Sequence, residues 1–386
     1  MDVADRFLLS RVWFQVHLWL GVALFLVLIP LSATGSVLVW HDALDAAVNP
    51  QRYAASGPAN RPLEAYAAAA RTTLGPGQAV ASVRLPEHDG GPVVVSSPRE
   101  AEPGARGRPP TLNLYLDPGS GRVLDRARSD AGLVRWLHVF HGSLMMPGVG
   151  RKIVGWLGWA MFVSALTGIW LWWPRNHRVL KGFRWRRAPL LSSNLHHLAG
   201  FWISIPLALL GFTGAWISFP QTFRGVVEAV SGAPAAKEKG GGPGGGGQGG
   251  PARPLAPTQL TADQAVAAVR GMAPADELVS VTWPTEKKAQ WSVRLQPEGL
   301  MALTYTVDDR SGRAKAEKAP DAAAKTARLM RVVHDGTDMG IVWQMVIFVG
   351  GLAPALLGIT GVLMWLRNRG GRKARNAWRQ NGAGAE

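Results

Sequence analysis

The chain has 386 residues, of which 47% are hydrophobic, and its formal net charge is +16. Several long uncharged runs within this composition indicate a membrane protein that also has room for domains outside the bilayer. The sequence contains no cysteine, which excludes disulfides, thiolate-bound iron–sulfur clusters, zinc ribbons and covalently attached c-type haem. A haem held only by histidine is compatible with this composition.

The positive charge is concentrated in two short segments beside apolar runs. One lies between Trp173 and Leu190 and the other follows Leu366, and both are rich in arginine and poor in acidic residues. Short basic segments that flank membrane spans are typical of cytoplasmic loops. Their expected partner is anionic membrane lipid rather than nucleic acid.

Four apolar segments are long enough to cross a bilayer, and the first contains a single ionisable side chain, His17. This first run is too long for the apolar core of a cleavable signal peptide. With the basic segments inside, we predict an α-helical inner-membrane protein whose two termini are cytoplasmic. In chain order the predicted parts are transmembrane helix one (1–41), a periplasmic domain (42–135), helix two with an outer interfacial turn (136–174), a basic cytoplasmic loop (175–190), helix three (191–220), an outer segment with a flexible Gly/Pro-rich linker (221–257), a second periplasmic domain (258–330), helix four (331–366) and a basic cytoplasmic tail (367–386).

Each outer region contains a helix-like segment followed by segments in which apolar and polar residues alternate. The helix-like segments are 63–73 and 262–271. The alternating segments, typical of half-buried strands, are 80–85, 91–96 and 111–116 in the first region and 278–283, 290–295 and 301–307 in the second. We therefore predict two α+β domains.

Two sets of residues recur along the chain at a constant offset. At an offset of 179 residues, His17, Gly21, Thr34 and Gly35 match His196, Gly200, Thr213 and Gly214. At an offset of 193 residues, His141, Gly158, Thr167, Gly168 and Trp172 match His334, Gly351, Thr360, Gly361 and Trp365. These matches predict a tandem duplication of a helix–domain–helix unit, an arrangement that places ligand sites between repeats.

The matched histidines fall into two layers of the predicted bilayer. His17 and His196 lie near the cytoplasmic ends of helices one and three, whereas His141 and His334 lie at the outer ends of helices two and four. In each layer the other two helices contribute Thr-Gly pairs, and glycine lets a planar ligand or another helix approach closely. Imidazole is an ordinary axial ligand of haem iron. We therefore predict a bis-histidine b-type haem in each layer, about two per chain.

Plainer interpretations compete with haem at these positions. A membrane histidine can simply hydrogen-bond between helices, and a Thr-Gly pair can serve helix packing. Zinc is a weaker alternative, because these apolar helices place no carboxylate or thiolate beside the histidines. The tryptophans Trp172, Trp173 and Trp365 are typical of interfacial belts.

Several residues remain open as alternatives or as partners of the haem. His197 is the alternative to His196, and His138 and His41 are the alternatives to His141. An arginine fork suits the carboxylates of haem propionates, although arginines at a membrane interface often only extend towards water. The candidates for this contact are Arg11, Arg135, Arg151 and Arg331.

These motifs resemble the PepSY-associated transmembrane family. The resemblance depends on R-x5-H-x3-G from Arg11 followed by Thr34-Gly35, on L-H-x2-H-G from Leu137, and on the turns D-P-G-S-G-R and D-D-R-S-G-R at 117–122 and 308–313. It covers nearly the whole chain, and the outer regions look like PepSY domains. The chain is also similar to inner-membrane ferric-siderophore reductases of Gram-negative bacteria. That likeness implies b-type haems and electron delivery to ferric iron in the periplasm.

The function that this resemblance implies is reduction of a ferric siderophore, an oxidoreductase activity on metal ions whose catalytic residues stay unassigned. The chain has no G-x-G-x-x-G after a strand and no P-loop, so the expected electron donor is a quinol or a partner protein. PepSY domains elsewhere are linked to protease inhibition. The alternative is therefore a membrane regulator of periplasmic proteolysis without redox activity.

Overall fold

The computed structural model describes residues 3–98, 110–173, 190–232, 253–298 and 301–382. The chain divides into two compact units. The helix unit contains residues 1–41, 137–235 and 321–386, and the sheet unit contains residues 42–136 and 236–320. Nearly all of the predicted basic loop and most of the predicted Gly/Pro-rich linker lie outside the described residues.

The described helices account for both the predicted spans and several shorter elements. In chain order they are α1 (Val3–Leu38), α2 (His41–Val48), a 3₁₀-helix (Pro50–Tyr53), α3 (Leu63–Thr73), α4 (Leu133–Ser143), α5 (Gly150–Trp172), α6 (Leu191–Ser218), α7 (Pro220–Ser231), α8 (Ala262–Arg270), α9 (Ala322–Asp335) and α10 (Gly340–Gly382).

Four of these helices are long and apolar enough to cross a membrane, which confirms the predicted spans. About 20 residues are needed to cross the hydrocarbon core. The qualifying stretches are Leu9–Leu38 in α1, Gly150–Trp172 in α5, Leu191–Ser218 in α6 and Gly340–Gly370 in α10.

Glycines bring these helices into close contact in two pairs. A Cβ atom added at Gly158 of α5 would lie 2.8 Å from the carbonyl oxygen of Gly211 in α6. A Cβ atom added at Gly351 of α10 would lie 2.9 Å from the carbonyl oxygen of Ser32 in α1. Small residues at such positions are the usual basis of helix association in membranes, because they let the backbones approach.

The predicted bounds of helix four differ from the observed ones at both ends. Gly336 adopts a positive φ of 81° and ends α9, so residues 331–335 belong to α9 and the span begins only at Gly340. A glycine in the left-handed conformation is a common helix terminator. At the other end α10 continues beyond Leu366 to Gly382. The apolar run marks only the part of a helix that suits the bilayer, not its full length.

The described residues of the sheet unit form eight strands. They are β1 (Ser82–Arg84), β2 (Val93–Pro98), β3 (Thr111–Leu116), β4 (Val123–Arg128), β5 (Glu277–Thr282), β6 (Gln290–Gln296), β7 (Leu303–Asp308) and β8 (Ala314–Ala316). They form one antiparallel sheet in the order β4-β3-β2-β1-β5-β6-β7-β8.

The two predicted outer domains share this sheet. β1 of the first region pairs with β5 of the second, and Val83 lies opposite Val281. One continuous core lies beneath the sheet and includes Tyr66 of α3, Val269 of α8 and Trp291 of β6. Each region alone would leave the β1 or β5 edge unpaired, and their pairing covers both edges.

A buried aspartate, Asp309, holds the segment before α8 against the end of β7. Its carboxylate accepts hydrogen bonds from the backbone amides of Gln259 and Leu260, at 3.0 and 3.2 Å. The indole of Trp291 donates a third bond of 2.8 Å. These three hydrogen bonds offset the free-energy cost of burying the carboxylate.

We expect Asp309→Ala to lower the free energy of unfolding of the sheet unit by about 3 kcal/mol, because each buried donor left without a partner costs about 1–3 kcal/mol. Asp130→Ala is the matched control, since Asp130 forms an exposed ion pair with Arg128 and such pairs contribute about 0–1 kcal/mol. The measurement is amide hydrogen exchange in β6 and β7 of the full-length protein. Equal protection in the two variants would contradict this account.

Candidate functional site

The four matched histidines form two pairs in the helix unit. The ring centres of His17 in α1 and His196 in α6 are 6.3 Å apart, with an interplanar angle of 82°. The ring centres of His141 in α4 and His334 in α9 are 6.1 Å apart, with an angle of 38°. The structure therefore brings the four residues together in the two combinations that the sequence predicts. We call them the first pair and the second pair.

The two pairs lie far apart along the helices. His334 of the second pair contacts Thr213 of α6, at a ring nitrogen-to-oxygen distance of 2.9 Å, whereas His196 of the first pair belongs to α6 itself. Residues 196 and 213 are separated by about 25 Å of helix, because an α-helix rises 1.5 Å per residue. This separation approaches the thickness of the hydrocarbon core.

Each imidazole lies against the glycine of a Thr-Gly pair on another helix. An added Cβ would approach the Cε1 atom of His141 to 2.6 Å at Gly35 and that of His334 to 3.1 Å at Gly214. The corresponding distances are 3.2 Å from Gly168 to His17 and 3.3 Å from Gly361 to His196. The sequence alone allows either a planar ligand or another helix to lie against these glycines. In the structure they make room for the imidazoles themselves.

A hydrogen bond fixes Nδ1 of every paired histidine. The Nδ1 atoms of His196 and His334 lie 3.0 and 2.9 Å from the hydroxyl oxygens of Thr360 and Thr213. His17 lies 3.1 Å from the hydroxyl of Thr167 and 3.0 Å from the carbonyl of Ser164. His141 departs from this pattern, because its Nδ1 bonds the carbonyl oxygen of Leu31 at 2.8 Å.

These bonds determine which ring nitrogen carries the proton. The hydroxyl groups of Thr360 and Thr213 lie 2.7 and 2.8 Å from the carbonyls of Leu356 and Leu209, to which each donates its single hydrogen. The threonine oxygen must therefore accept from the imidazole, as the carbonyls of Leu31 and Ser164 also must. Nδ1 is protonated in all four rings, and Nε2 keeps the lone pair that can bind a metal.

The second pair lies outside the four spans, on the short helices α4 and α9, and its histidines are uncharged near neutral pH. Burial lowers the pKa of His141, although its bond to the carbonyl of Leu31 partly opposes the shift. Burial and the neighbouring His141 lower the pKa of His334 to about 3. Neutral imidazole is the form that acts as a metal ligand.

The spacing of both pairs suits one metal atom between two imidazoles. An imidazole nitrogen binds a transition metal at about 2.0 Å and lies about 1.1 Å from its ring centre, so two imidazoles on opposite sides of one metal place their centres about 6 Å apart. The observed distances are 6.3 and 6.1 Å. Within the described part of the chain, no group of three or more His, Cys, Asp or Glu side chains could hold a metal ion.

A cavity of about 740 Å³ adjoins the first pair and is lined by both of its histidines. Gly21 and Gly200 also line it. A Cβ added at Gly21 would meet nothing within 4 Å, and one at Gly200 would meet only Leu357, at 3.7 Å. These two glycines therefore border open space, unlike Gly158 and Gly351, which border a neighbouring helix.

Polar groups that sequence analysis missed lie at this cavity. Asn368 and Arg369 line it, and the guanidinium of Arg369 lies 4.7 Å from the ring centre of Trp365. Arg369 belongs to the basic segment after Leu366, whose positive charges are explained by membrane topology without any role at a site. Trp172, expected in an interfacial belt, is instead 4% exposed and stacks on Phe201 at 3.9 Å.

The alternative histidines take other positions. His197 is exposed and lines the same cavity, with its ring centre 6.3 Å from that of His196. His41 and His138 pair with each other, at a ring-centre distance of 5.8 Å. Neither replaces a member of the second pair.

The four arginine candidates separate into two groups. Arg151 and Arg331 lie close enough for their charges to interact, and Arg151 donates a bond of 2.5 Å to the carbonyl of Ile217. Arg331 also interacts electrostatically with His334. Arg11 and Arg135 are exposed, and no contact described for either involves a paired histidine.

A family model described as "PepSY-associated TM region" matches residues 14–368, so the chain belongs to this family. The match includes all four paired histidines and all four Thr-Gly pairs. A search among proteins of curated function finds no match.

We expect Gly35→Ala to displace the ring of His141, because the new Cβ would lie 2.6 Å from its Cε1 atom and overpacking of this kind costs about 1–3 kcal/mol. The measurement is modification of His141 by diethyl pyrocarbonate, which should increase. Gly142→Ala is the control, because Gly142 adjoins His141 in α4 and has nothing within 4 Å of its added Cβ. Unchanged modification of His141 in Gly35→Ala would show that the close approach of Gly35 does not hold the imidazole in place.

Proposed function

We propose that this member of the PepSY-associated TM family is a di-haem protein of the bacterial inner membrane, which carries electrons to the periplasm and reduces ferric iron held by a siderophore or another chelate. The observation that carries the proposal is the spacing of the two histidine pairs, 6.3 and 6.1 Å between ring centres. Each pair would hold one b-type haem through the Nε2 atoms of its two imidazoles.

The hydrogen bonds that orient the imidazoles support this ligation. A metal-binding histidine usually donates its other ring N–H to a carbonyl or a comparable acceptor, which fixes the ring and its tautomer. All four paired histidines do so, through Thr167, Thr213, Thr360 or a backbone carbonyl. A histidine that served only helix packing would have no need of a second imidazole at a ring-centre distance of 6.3 or 6.1 Å. The matched glycines beside the four rings, and the matched threonines that bond His17 and His196, also support a tandem duplication.

The cavity at the first pair supports a large planar ligand there. Its volume of about 740 Å³ is in the range of about 300–1,000 Å³ that ligand sites usually have. Open space beside Gly21 and Gly200 would let a macrocycle lie against the helix backbones. Asn368 and Arg369, which line the cavity, would pair with the propionates.

Arg151 and Arg331 would play the corresponding part at the second pair. Their charges repel each other, and among the described residues neither forms an ion pair with a carboxylate. Two adjacent guanidinium groups without an anion are unfavourable in a partly apolar setting. Haem propionates would supply the missing negative charge.

The direction of electron transfer follows from the predicted topology. The basic segments place both termini in the cytoplasm, so the first pair lies near the cytoplasmic side. The second pair and the sheet unit then lie on the periplasmic side. Cofactors at both pairs would carry electrons across most of the bilayer, in two short steps rather than one long one.

The proposed chemistry is one-electron transfer. Bound haem would supply reversible Fe(III)/Fe(II) chemistry, and its ligation by two histidines would leave no open position for oxygen. The chain's own residues keep the imidazoles neutral, oriented and enclosed by apolar helices. At the periplasmic side one electron converts the chelated ferric substrate into ferrous iron, which the chelate's hard oxygen ligands hold less tightly. A quinol or an electron-carrying partner protein would supply the electron.

The haem proposal predicts a red protein with about two low-spin b-type haems per chain. We expect Gly21→Leu to lose about half of this haem without unfolding, because the new side chain would fill the space of the macrocycle and a Cβ there meets no protein atom within 4 Å. Pyridine haemochrome assays and thermal unfolding measure the two effects. Gly225→Leu is the control, since Gly225 on α7 also borders open space but does not line the cavity.

A colourless preparation from haem-replete cells would refute the proposal. Full haem content in Gly21→Leu would contradict the assignment of the cavity.

The reductase proposal predicts that the dithionite-reduced protein is reoxidised by a ferric siderophore under anaerobic conditions. We expect His334→Ala to abolish this reaction while the first haem remains reducible, because the substitution removes an axial ligand from the periplasmic side. His17→Ala should also lose about half the haem but keep the reaction. Stopped-flow absorbance measures both.

Loss of the same spectral component in His334→Ala and His17→Ala would show that the residues share one haem. No reoxidation of the wild-type protein, together with altered proteolysis of a partner, would favour the alternative of a proteolysis regulator.

A further inference from the structure

His41 and His138 form a third histidine pair in the helix unit, one that the two haem sites leave unused. Their ring centres are 5.8 Å apart and their planes lie at 83° to each other. His41 is the first residue of α2, and His138 lies in α4, one helical turn before His141. The third pair is therefore adjacent to the second.

We propose that His41 and His138 bind one divalent transition-metal ion, which completes its coordination with water. His41 places Nδ1 at 3.1 Å from the carbonyl oxygen of Leu38. A carbonyl can only accept, so Nδ1 of His41 is the donor and Nε2 carries the lone pair. Imidazole nitrogen suits Fe²⁺, Ni²⁺, Cu²⁺ and Zn²⁺. The ring spacing of 5.8 Å lies between the values of about 5 Å for two imidazoles on a tetrahedral ion and about 6 Å for imidazoles on opposite sides of one metal.

The surroundings of this pair suit a hydrated ion rather than a third haem. The glycines against which the other four imidazoles lie have no counterpart beside His41 or His138 among the described residues. His138 is exposed and His41 is half-buried, so water can reach the ion. An ion with two protein ligands keeps its remaining positions for water, as catalytic metal sites keep an open position.

The position of the third pair suggests Fe²⁺ as its natural ion. This step rests on the proposed function, in which ferrous iron forms next to the second pair. Oxygen-rich chelates hold ferrous iron weakly, whereas imidazole binds it well. The third pair would then accept the reduced ion as the chelate releases it.

The test is isothermal titration of Zn²⁺ into the full-length, haem-loaded protein prepared without a polyhistidine tag. Zn²⁺ is used because it has no redox chemistry. We expect one Zn²⁺ per chain, and an affinity at least about tenfold lower in His41→Ala and in His138→Ala, because even loss of a supporting outer contact costs about 10–100-fold. His88→Ala is the control, since His88 is an exposed histidine of the sheet unit with acidic neighbours.

Haem content, measured in every variant, separates the possible failures. Zn²⁺ binding that neither His41→Ala nor His138→Ala weakens would overturn the metal site, as would loss of haem from either variant, which would make that residue an axial ligand. A colourless protein whose Zn²⁺ binding depends on both histidines would refute the proposed function and leave the metal site standing. Anaerobic Fe²⁺ titrated into the haem-loaded protein without Zn²⁺ should also bind at one ion per chain and depend on both histidines, and failure to do so would refute iron as the natural ion.

Discussion

The hydrogen bond at Nδ1 of each paired histidine is the interaction on which the site depends. A neutral imidazole buried without a partner would cost about 1–3 kcal/mol, so each ring must find an acceptor on a neighbouring helix. Thr167, Thr213 and Thr360 can serve because each donates its own hydrogen to a carbonyl of its own helix. That single arrangement makes the imidazole the donor, fixes the tautomer and leaves the lone pair on Nε2.

Glycines in this bundle meet three different requirements, which only the structure separates. Gly158 and Gly351 bring helix backbones together, and Gly35 makes room for an imidazole. Gly21 borders open space, and a Cβ added at Gly200 would make only an ordinary contact with Leu357, at 3.7 Å. Neither a close helix approach nor a histidine explains these two glycines, and glycine is unfavourable inside a helix because it loses more conformational entropy. The space beside them is therefore the feature that most directly supports the proposed ligand.

The sequence predicts the spans because each is a long run without charged residues. It predicts the histidine pairs because the matched residues recur at a constant offset along the chain. It could not predict the acceptors Leu31 and Ser164, since a backbone carbonyl has no signature in the side-chain pattern. The position of Arg369 at the cavity could not be predicted either, because membrane topology already explains the positive charges of its segment. The pairing of β1 with β5 depends on two segments nearly 200 residues apart (Val83 opposite Val281), and alternation within a strand does not identify its neighbour.

The two pairs also differ in how their ligands are held. His17 and His196 lie within spans, whereas His334 lies at the end of α9, a helix of 14 residues that would be marginal alone. Asp321 caps the first turn of α9 and pairs with Arg224 of α7 at 2.5 Å, while the indole of Trp343 bonds the carbonyl of Val333 at 2.9 Å. An exposed ion pair contributes only about 0–1 kcal/mol, so it does not by itself hold α9 in place. His334 therefore depends on the packing of α9 against α6, where it contacts Thr213, rather than on the stability of its own short helix.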